Sequence, residues 1–183
     1  MKTYVSILRG INVSGHHLIK MDALKKLYTG SGFADVQTYI QSGNVVFRSK
    51  AHECSRLENM IANKILEEFG YHVPVMMLEL DELKKIAKGN PFARDKSKDP
   101  SFFHVSFLSA DPGKASIGKI DGSLYLPDEF FWKGRAIYLY IPGGYGRTKL
   151  NNGFFESKLK LTSTTRNWKT VNELISMAEQ ISK

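Results

Sequence analysis

The chain is short of everything that would cross-link it or carry it through a membrane. Its 183 residues contain one cysteine, Cys54, which excludes an internal disulfide framework and suits a reducing compartment. Apolar runs such as 73–78 fall far below the ~20 residues that span a bilayer. The apolar stretch at 4–8 is too short for the core of a signal sequence and stops at Arg9. No set of metal ligands has a metal-binding spacing. His16 and His17 are adjacent, so on a strand they point oppositely, and His52 with Cys54 lacks the second half of a zinc site. Cys54 has His52 as a nearby base but no oxyanion feature beside it. Asp128 and Glu129 run directly into Phe130, Phe131 and Trp132, as a solvated strand end would. No acid–base pair is assigned, and neither cofactor nor metal is expected. The expectation is a soluble cytoplasmic protein with no membrane partner.

Acid is scarcest between Lys133 and Lys169. That stretch holds eight cations (Lys133, Arg135, Arg147, Lys149, Lys158, Lys160, Arg166 and Lys169) against the single acid Glu156, net +7 of the chain's +8. Charge held in one segment makes a directed field, whereas scattered charge serves solubility. The segment reads as an anion-binding surface with two loops, 143–149 and 164–170. The first lacks the phosphate-loop pattern, because Thr148 precedes Lys149 where a glycine is required. In the second, Arg166 and Lys169 precede a helix predicted over 170–181, with Thr170 and Glu173 as its capping box. Cations there face the positive end of the helix dipole unless an anion intervenes; the alternative is that Arg166 turns back to a carboxylate elsewhere, with Trp168 in the core and Thr170 serving only as the cap. Glu156 and Lys160 stand at the i,i+4 spacing of a helical ion pair.

At 42% hydrophobic and 24% charged the chain is long and apolar enough to bury a core. Its first half reads as strand 3–8, helix 21–28, strand 36–40, strand 44–47, a helix from Leu57 to Phe69 stopped by Gly70, and strand 72–78. That order is the split βαβ, or ferredoxin-like, plan. A short helix at 81–87 and a Pro- and charge-rich linker at 89–100 follow. The plan then restarts with strand 102–108, weak helix 112–120, strands 129–132 and 136–141, helix 149–159 and the helix at 170–181. The fold class is therefore α+β, with two ferredoxin-like subdomains spanning 1–88 and 101–183.

In such a sheet the first and third strands are antiparallel neighbours. The end of the first strand then lies beside the turn before the third, bringing Arg9 and Asn12 next to Gln41, Ser42 and Asn44. Either this polar patch holds a ligand, or its amides satisfy turn backbone. Arg9-Gly10-Ile11-Asn12-Val13, Tyr39-Ile40-Gln41-Ser42-Gly43-Asn44 and Thr165-Arg166-Asn167-Trp168-x-Thr170 together resemble the bacterial family catalogued as Domain of Unknown Function 1697. The resemblance covers nearly the full chain and implies a cytoplasmic α+β protein of two ferredoxin-like units, with no activity attached. One departure is Ser14-Gly15, where a glycine pair often follows the first motif.

The leading functional expectation is a binding module for a phosphate-bearing partner, either nucleic acid or a phosphorylated metabolite. Arg147, Lys149, Arg166, Asn167 and Lys169 would contact charge, and Arg9, Asn12, Gln41, Ser42 and Asn44 would form a second patch. Tyr4, Phe47, Phe131, Tyr138 or Tyr140 could stack bases if strand aromatics were exposed, but the RNP1 pattern is absent and most of these rings read as core. One alternative is a small-molecule enzyme with a cleft between the subdomains, in which Arg9 and Arg166 clamp an anion and Ser42 polarises the reacting group. Another is an assembly protein pairing through a sheet edge.

Overall fold

A computed structural model describes residues 1–50 and 53–183, so the reading attached to His52 lies outside the described residues. Contacts divide the chain into two compact units, Met1–Lys85 with Glu173–Lys183, and Ile86–Asn172. The sequence boundaries at 88 and 101 leave 89–100 as a linker. By contacts that stretch belongs to the second unit, and the terminal helix is divided after Asn172.

The first unit runs β1 (Lys2–Leu8), α1 (Met21–Gly30), β2 (Ala34–Tyr39), β3 (Asn44–Ser49), α2 (Cys54–Phe69) and β4 (Val75–Glu79), then opens α3 (Leu80–Lys88). The strands form one antiparallel sheet in the order β2-β3-β1-β4, the ferredoxin-like order. Period-2 alternation turns Tyr4, Leu8, Val45, Phe47 and Met77 toward α1 and α2, where they pack with Leu24, Tyr28, Leu57, Ile61 and Ile65. Full burial of each such side chain is worth about 1.5–3 kcal/mol. Gly70 ends α2 in the left-handed conformation, at φ 74°, as a C-terminal glycine should. Phe47 stacks on Tyr4 at 5.7 Å and on Phe33 at 4.3 Å, and Tyr4 and Phe47 have no exposed surface. These rings are core, as expected for most of the strand aromatics.

The second unit repeats the plan with β5 (Phe103–Leu108), α4 (Lys114–Ile117), β6 (Glu129–Lys133), β7 (Ala136–Tyr140), α5 (Asn152–Leu159) and β8 (Ser163–Asn167), after which α6 (Trp168–Ile181) begins. Its sheet order is β6-β7-β5-β8. Leu108, Ile137, Leu139, Leu150 and Phe155 centre its core. Tyr138 is buried and donates its hydroxyl to the Ile86 carbonyl at 2.8 Å, so it too is a packing residue. Three sequence expectations are corrected here. Residues 164–170 are not a loop but the end of β8 and the first turn of α6. The cap of α6 is Asn167, whose Oδ1 accepts from the Thr170 N–H at 2.8 Å, so the helix starts two residues before Thr170. Helix α5 starts at Asn152 rather than 149, because the Asn151 side chain accepts from the Phe154 N–H at 3.0 Å and so fixes the start there.

Both fourth strands carry a carboxylate on an outward edge N–H. Glu58 of α2 accepts from Met77 N at 2.8 Å, and Glu156 of α5 accepts from Ser163 N at 3.0 Å. At the opposite edge of the first sheet, the β2–β3 register breaks between Ala34 and Gln37. Occupied N–H groups and a bulge both oppose strand addition.

Gly43 is required twice over in the β2–β3 turn. Its φ is +78°, and an added Cβ would lie 2.6 Å from Ile11 Cδ1 and 2.9 Å from Leu8 Cβ. Gly10 has a similar φ of +73° but open space around it. Gly43→Ala is expected to cost about 2–4 kcal/mol, combining left-handed strain with overpacking, and Gly10→Ala about 1–2 kcal/mol from strain alone. Urea denaturation of both variants checks this; equal losses would remove the steric contribution at Gly43.

Candidate functional site

At one end of the first sheet the topology joins two distant loops. Ile7 pairs with Asn44 across β1 and β3, and Leu8 N donates to Gly43 O at 2.9 Å. Arg9 and Asn44 therefore share a sheet end, as the strand order predicts. The Asn12 amide then ties three segments together. Its Nδ2 donates to Ile19 O at 2.9 Å and to Gln41 O at 2.8 Å, and its Oδ1 accepts from Ile19 N at 2.9 Å. Asn12 holds φ 54°, a left-handed conformation that asparagine tolerates. Buried Asn44 donates to Tyr39 O and Ser42 Oγ, both at 3.0 Å. The two amides thus satisfy turn backbone. Arg9 is half-buried, with its N–H on Pro74 O at 2.9 Å, Ser42 is half-buried, and Gln41 stands exposed.

The second unit gathers the other group at the end of its sheet where β5 begins. His104 of β5 pairs with Asn167 of β8, and Ile141 N, just past β7, reaches Phe102 O at 3.0 Å. The glycine-bearing loop returns to this end and is pinned twice. Tyr145 stacks on the His104 ring at 4.9 Å. Thr148 Oγ1 donates to Asp128 Oδ2 at 2.6 Å and accepts from Leu150 N at 3.0 Å. Arg147 lies between the two pins and Lys149 just beyond the second, both exposed. Asn167 and Lys169, also exposed, line a depression of about 340 Å³ with Pro100, Ser101 and Trp168. The nearby acids are engaged: Asp99 accepts from Ser101 N at 2.8 Å, Asp128 holds Thr148, and Glu129 holds Lys98.

Arg166 does not join this surface. Alternation on β8 sends it to the sheet face opposite Asn167, pairing with Val105. It is 8% exposed and donates through Nη1 to Thr164 Oγ1 and Thr165 O, both at 3.0 Å. Lys160 also departs from expectation: it takes the left-handed position ending α5, at φ 57°, while Glu156 accepts from Ser163 N. His104 carries no signal in the sequence beyond its place on a strand. Its Nδ1 lies 3.2 Å from Phe102 O. A carbonyl only accepts, so Nδ1 carries the proton and Nε2 keeps the lone pair. Burial pushes this imidazole below its ordinary value, partly offset by the Phe102 hydrogen bond. Among the described residues no group of three or more His, Cys, Asp or Glu is arranged to hold a metal, and no helix is long and apolar enough to cross a membrane.

A family model described as "Protein of unknown function (DUF1697)" matches residues 1–138. The solved structure of conserved bacterial protein SP0830 from Streptococcus pneumoniae is similar over 97% of this chain and 98% of that one, with a TM-score of 0.68 and 20% identity. That likeness is one of fold. No curated protein matches the chain.

Two outcomes follow from this geometry. Arg166→Ala leaves a void and strands Thr164 and Thr165 acceptors, so a loss of about 2–4 kcal/mol is expected in plain buffer; a change below measurement error would put the side chain back in solvent. For His104, the folded value lies below the unfolded one near 6.5, so the unfolded chain takes up its proton first as pH falls. Stability is full above the unfolded value and is lost as pH drops through the folded one. His104→Phe, which keeps an aromatic ring against Tyr145, should flatten this part of the stability profile as pH falls below the ordinary imidazole value. Identical profiles in the two proteins would assign the slope to other groups.

Proposed function

Because the chain belongs to DUF1697, a family described only as of unknown function, its function has to be argued from its own surface, and we propose that it is a binding module for a phosphate-bearing partner. One observation carries the reading. Lys133, Arg147, Lys149, Lys158, Lys160 and Lys169 are all exposed, and their side chains make no ion pair or hydrogen bond among the described residues. The single acid of that segment, Glu156, is turned inward onto Ser163 N. Elsewhere Lys2, Arg48 and Lys84 have carboxylate partners at 2.5–2.9 Å, and cations that are also unpaired, such as Lys25 and Lys85, stand close in sequence to acids such as Asp22 and Asp81. Like charges left unpaired in one segment repel each other, and an anionic partner relieves that repulsion.

The proposed contacts are Arg147, Lys149, Asn167 and Lys169. The two pins on the loop reduce the ordering needed when a ligand binds. Asn167 spends its Oδ1 on the helix cap and keeps its Nδ2 for a ligand oxygen. Lys169 stands in the first turn of α6, where the dipole favours an anion beside it. Arg166 enters as a support for β8 rather than as a contact. Arg9, Gln41 and Ser42 form the secondary polar surface in the first unit, with Asn12 and Asn44 holding its loops. The carboxylates on both fourth strands make pairing through a sheet edge the weaker reading.

Thermal unfolding tests the proposal. Inorganic phosphate and tripolyphosphate should raise the midpoint by mass action, relative to chloride at matched ionic strength. The combined Arg147→Ala, Lys149→Ala and Lys169→Ala variant should lose most of that rise. A rise of equal size in chloride, or one retained by the variant, would defeat the reading.

A further inference from the structure

Topology divides the six exposed, unpaired cations of the 133–169 segment between the two ends of the second unit's sheet. At the end where β5 begins stand Arg147, Lys149 and Lys169. At the end where β5 finishes, two further segments meet. Leu108 N donates to Arg135 O at 2.9 Å and Leu108 O accepts from Arg135 Nε at 3.2 Å, which seats the turn carrying Lys133. Next to it, Ser109 N donates to Thr162 O at 3.0 Å and Ser109 Oγ accepts from Thr162 N at 3.1 Å, which seats the segment carrying Lys158 and Lys160. The acid there, exposed Asp111, accepts from Gly113 N at 2.8 Å.

Helix α5 joins the two ends, with Lys149 just before it and Lys158 and Lys160 at its finish. Between them its exposed positions are Gly153 and Ser157, and Glu156 is half-buried. Packing does not require the glycine: an added Cβ would meet only Asn151 Oδ1, at the ordinary distance of 3.5 Å. A glycine inside a helix costs about 1 kcal/mol relative to alanine, and it leaves the backbone open to close approach. The five steps along β5 separate the ends by roughly 17 Å. At an axial rise of about 3.4 Å per phosphate, that span matches about five steps, joining about six phosphates, along one strand.

We infer that the partner of the second unit is a nucleic-acid strand lying along α5, its phosphates engaged at both ends of the sheet. This rests on the phosphate-binding reading above and deepens it, because a small phosphorylated metabolite can occupy only one end. The contacts are to phosphate, so binding is tolerant of sequence and steeply dependent on salt.

The test is a length series of single-stranded oligonucleotides from about two to sixteen nucleotides, with duplexes at the longer lengths, measured by fluorescence anisotropy at several salt concentrations. Affinity should rise steeply up to about six nucleotides, where both ends become reachable, and gain far less per added nucleotide beyond. A second variant, Lys133→Ala with Lys158→Ala and Lys160→Asn, alters only the far end, and asparagine tolerates the left-handed position at 160. It should bind long strands with a salt slope shallower by about two, while keeping the wild-type midpoint rise with tripolyphosphate. That retained rise also reports that the variant is folded. Affinity independent of length, or an unchanged salt slope in the variant, overturns the inference even where the tripolyphosphate response persists. Loss of that response in the wild-type protein would instead overturn the phosphate reading itself.

Discussion

Strand β8 has no apolar side chain, and the placement of Arg166, Asn167 and the start of α6 depends on how its polar groups are satisfied. Burying a hydroxyl without a partner costs on the order of 1–3 kcal/mol, so Ser163, Thr164 and Thr165 can enter a sheet only as a network. Ser106 Oγ meets Thr165 Oγ1 at 2.6 Å, Thr165 reaches Asn152 Oδ1 at 2.7 Å, and Ser163 reaches the same oxygen at 3.1 Å. On the opposite face, Thr164 accepts from Arg166. The network locks the strand's register against β5. That register sets which face Arg166 and Asn167 take, and where α6 starts.

This explains what could be read from the sequence and what could not. Hydrophobic periodicity reports burial by apolar side chains, and β1, β3, α2 and the later part of α6 declare themselves that way. The strand order of the first sheet followed, and with it the meeting of Arg9 with the Gln41–Asn44 turn. A strand buried through hydroxyls and an amide has no such signature, so Ser-Thr-Thr-Arg-Asn read as a loop. The missing strand also displaced the cap: once Asn167 is recognised as the last residue of β8, its side chain rather than that of Thr170 is placed to receive a helix N–H.

Polar residues proved harder to interpret than apolar ones because one amide can hold a loop or a ligand with the same atoms. Asn12 and Asn44 satisfy backbone groups at Ile19, Gln41 and Tyr39, and nothing in their types or spacing separates that role from recognition. Arg166 shows the same ambiguity in a cation. Its neighbours in sequence, Asn167 and Lys169, are exposed, yet a single step along a strand reverses the face. A useful signal lay in the alternation itself: within a strand, Arg166 and Asn167 could not serve one site.

The cations left in solvent have a cost that the fold does not recover internally. Lys169 opposes the dipole of α6, whereas Lys158, at the end of α5, is favoured by that helix's dipole. Helix energetics therefore accounts for Lys158 but not for Lys169, and neither helix end accounts for Arg147 or Lys133. Glu156 could have neutralised part of this charge from Lys160's own helix; instead it is committed to the edge N–H of Ser163. The carboxylate that closes the sheet edge is thus held on backbone rather than on Lys160. One residue thereby opposes strand pairing at the edge and leaves Lys160 without its helical ion pair.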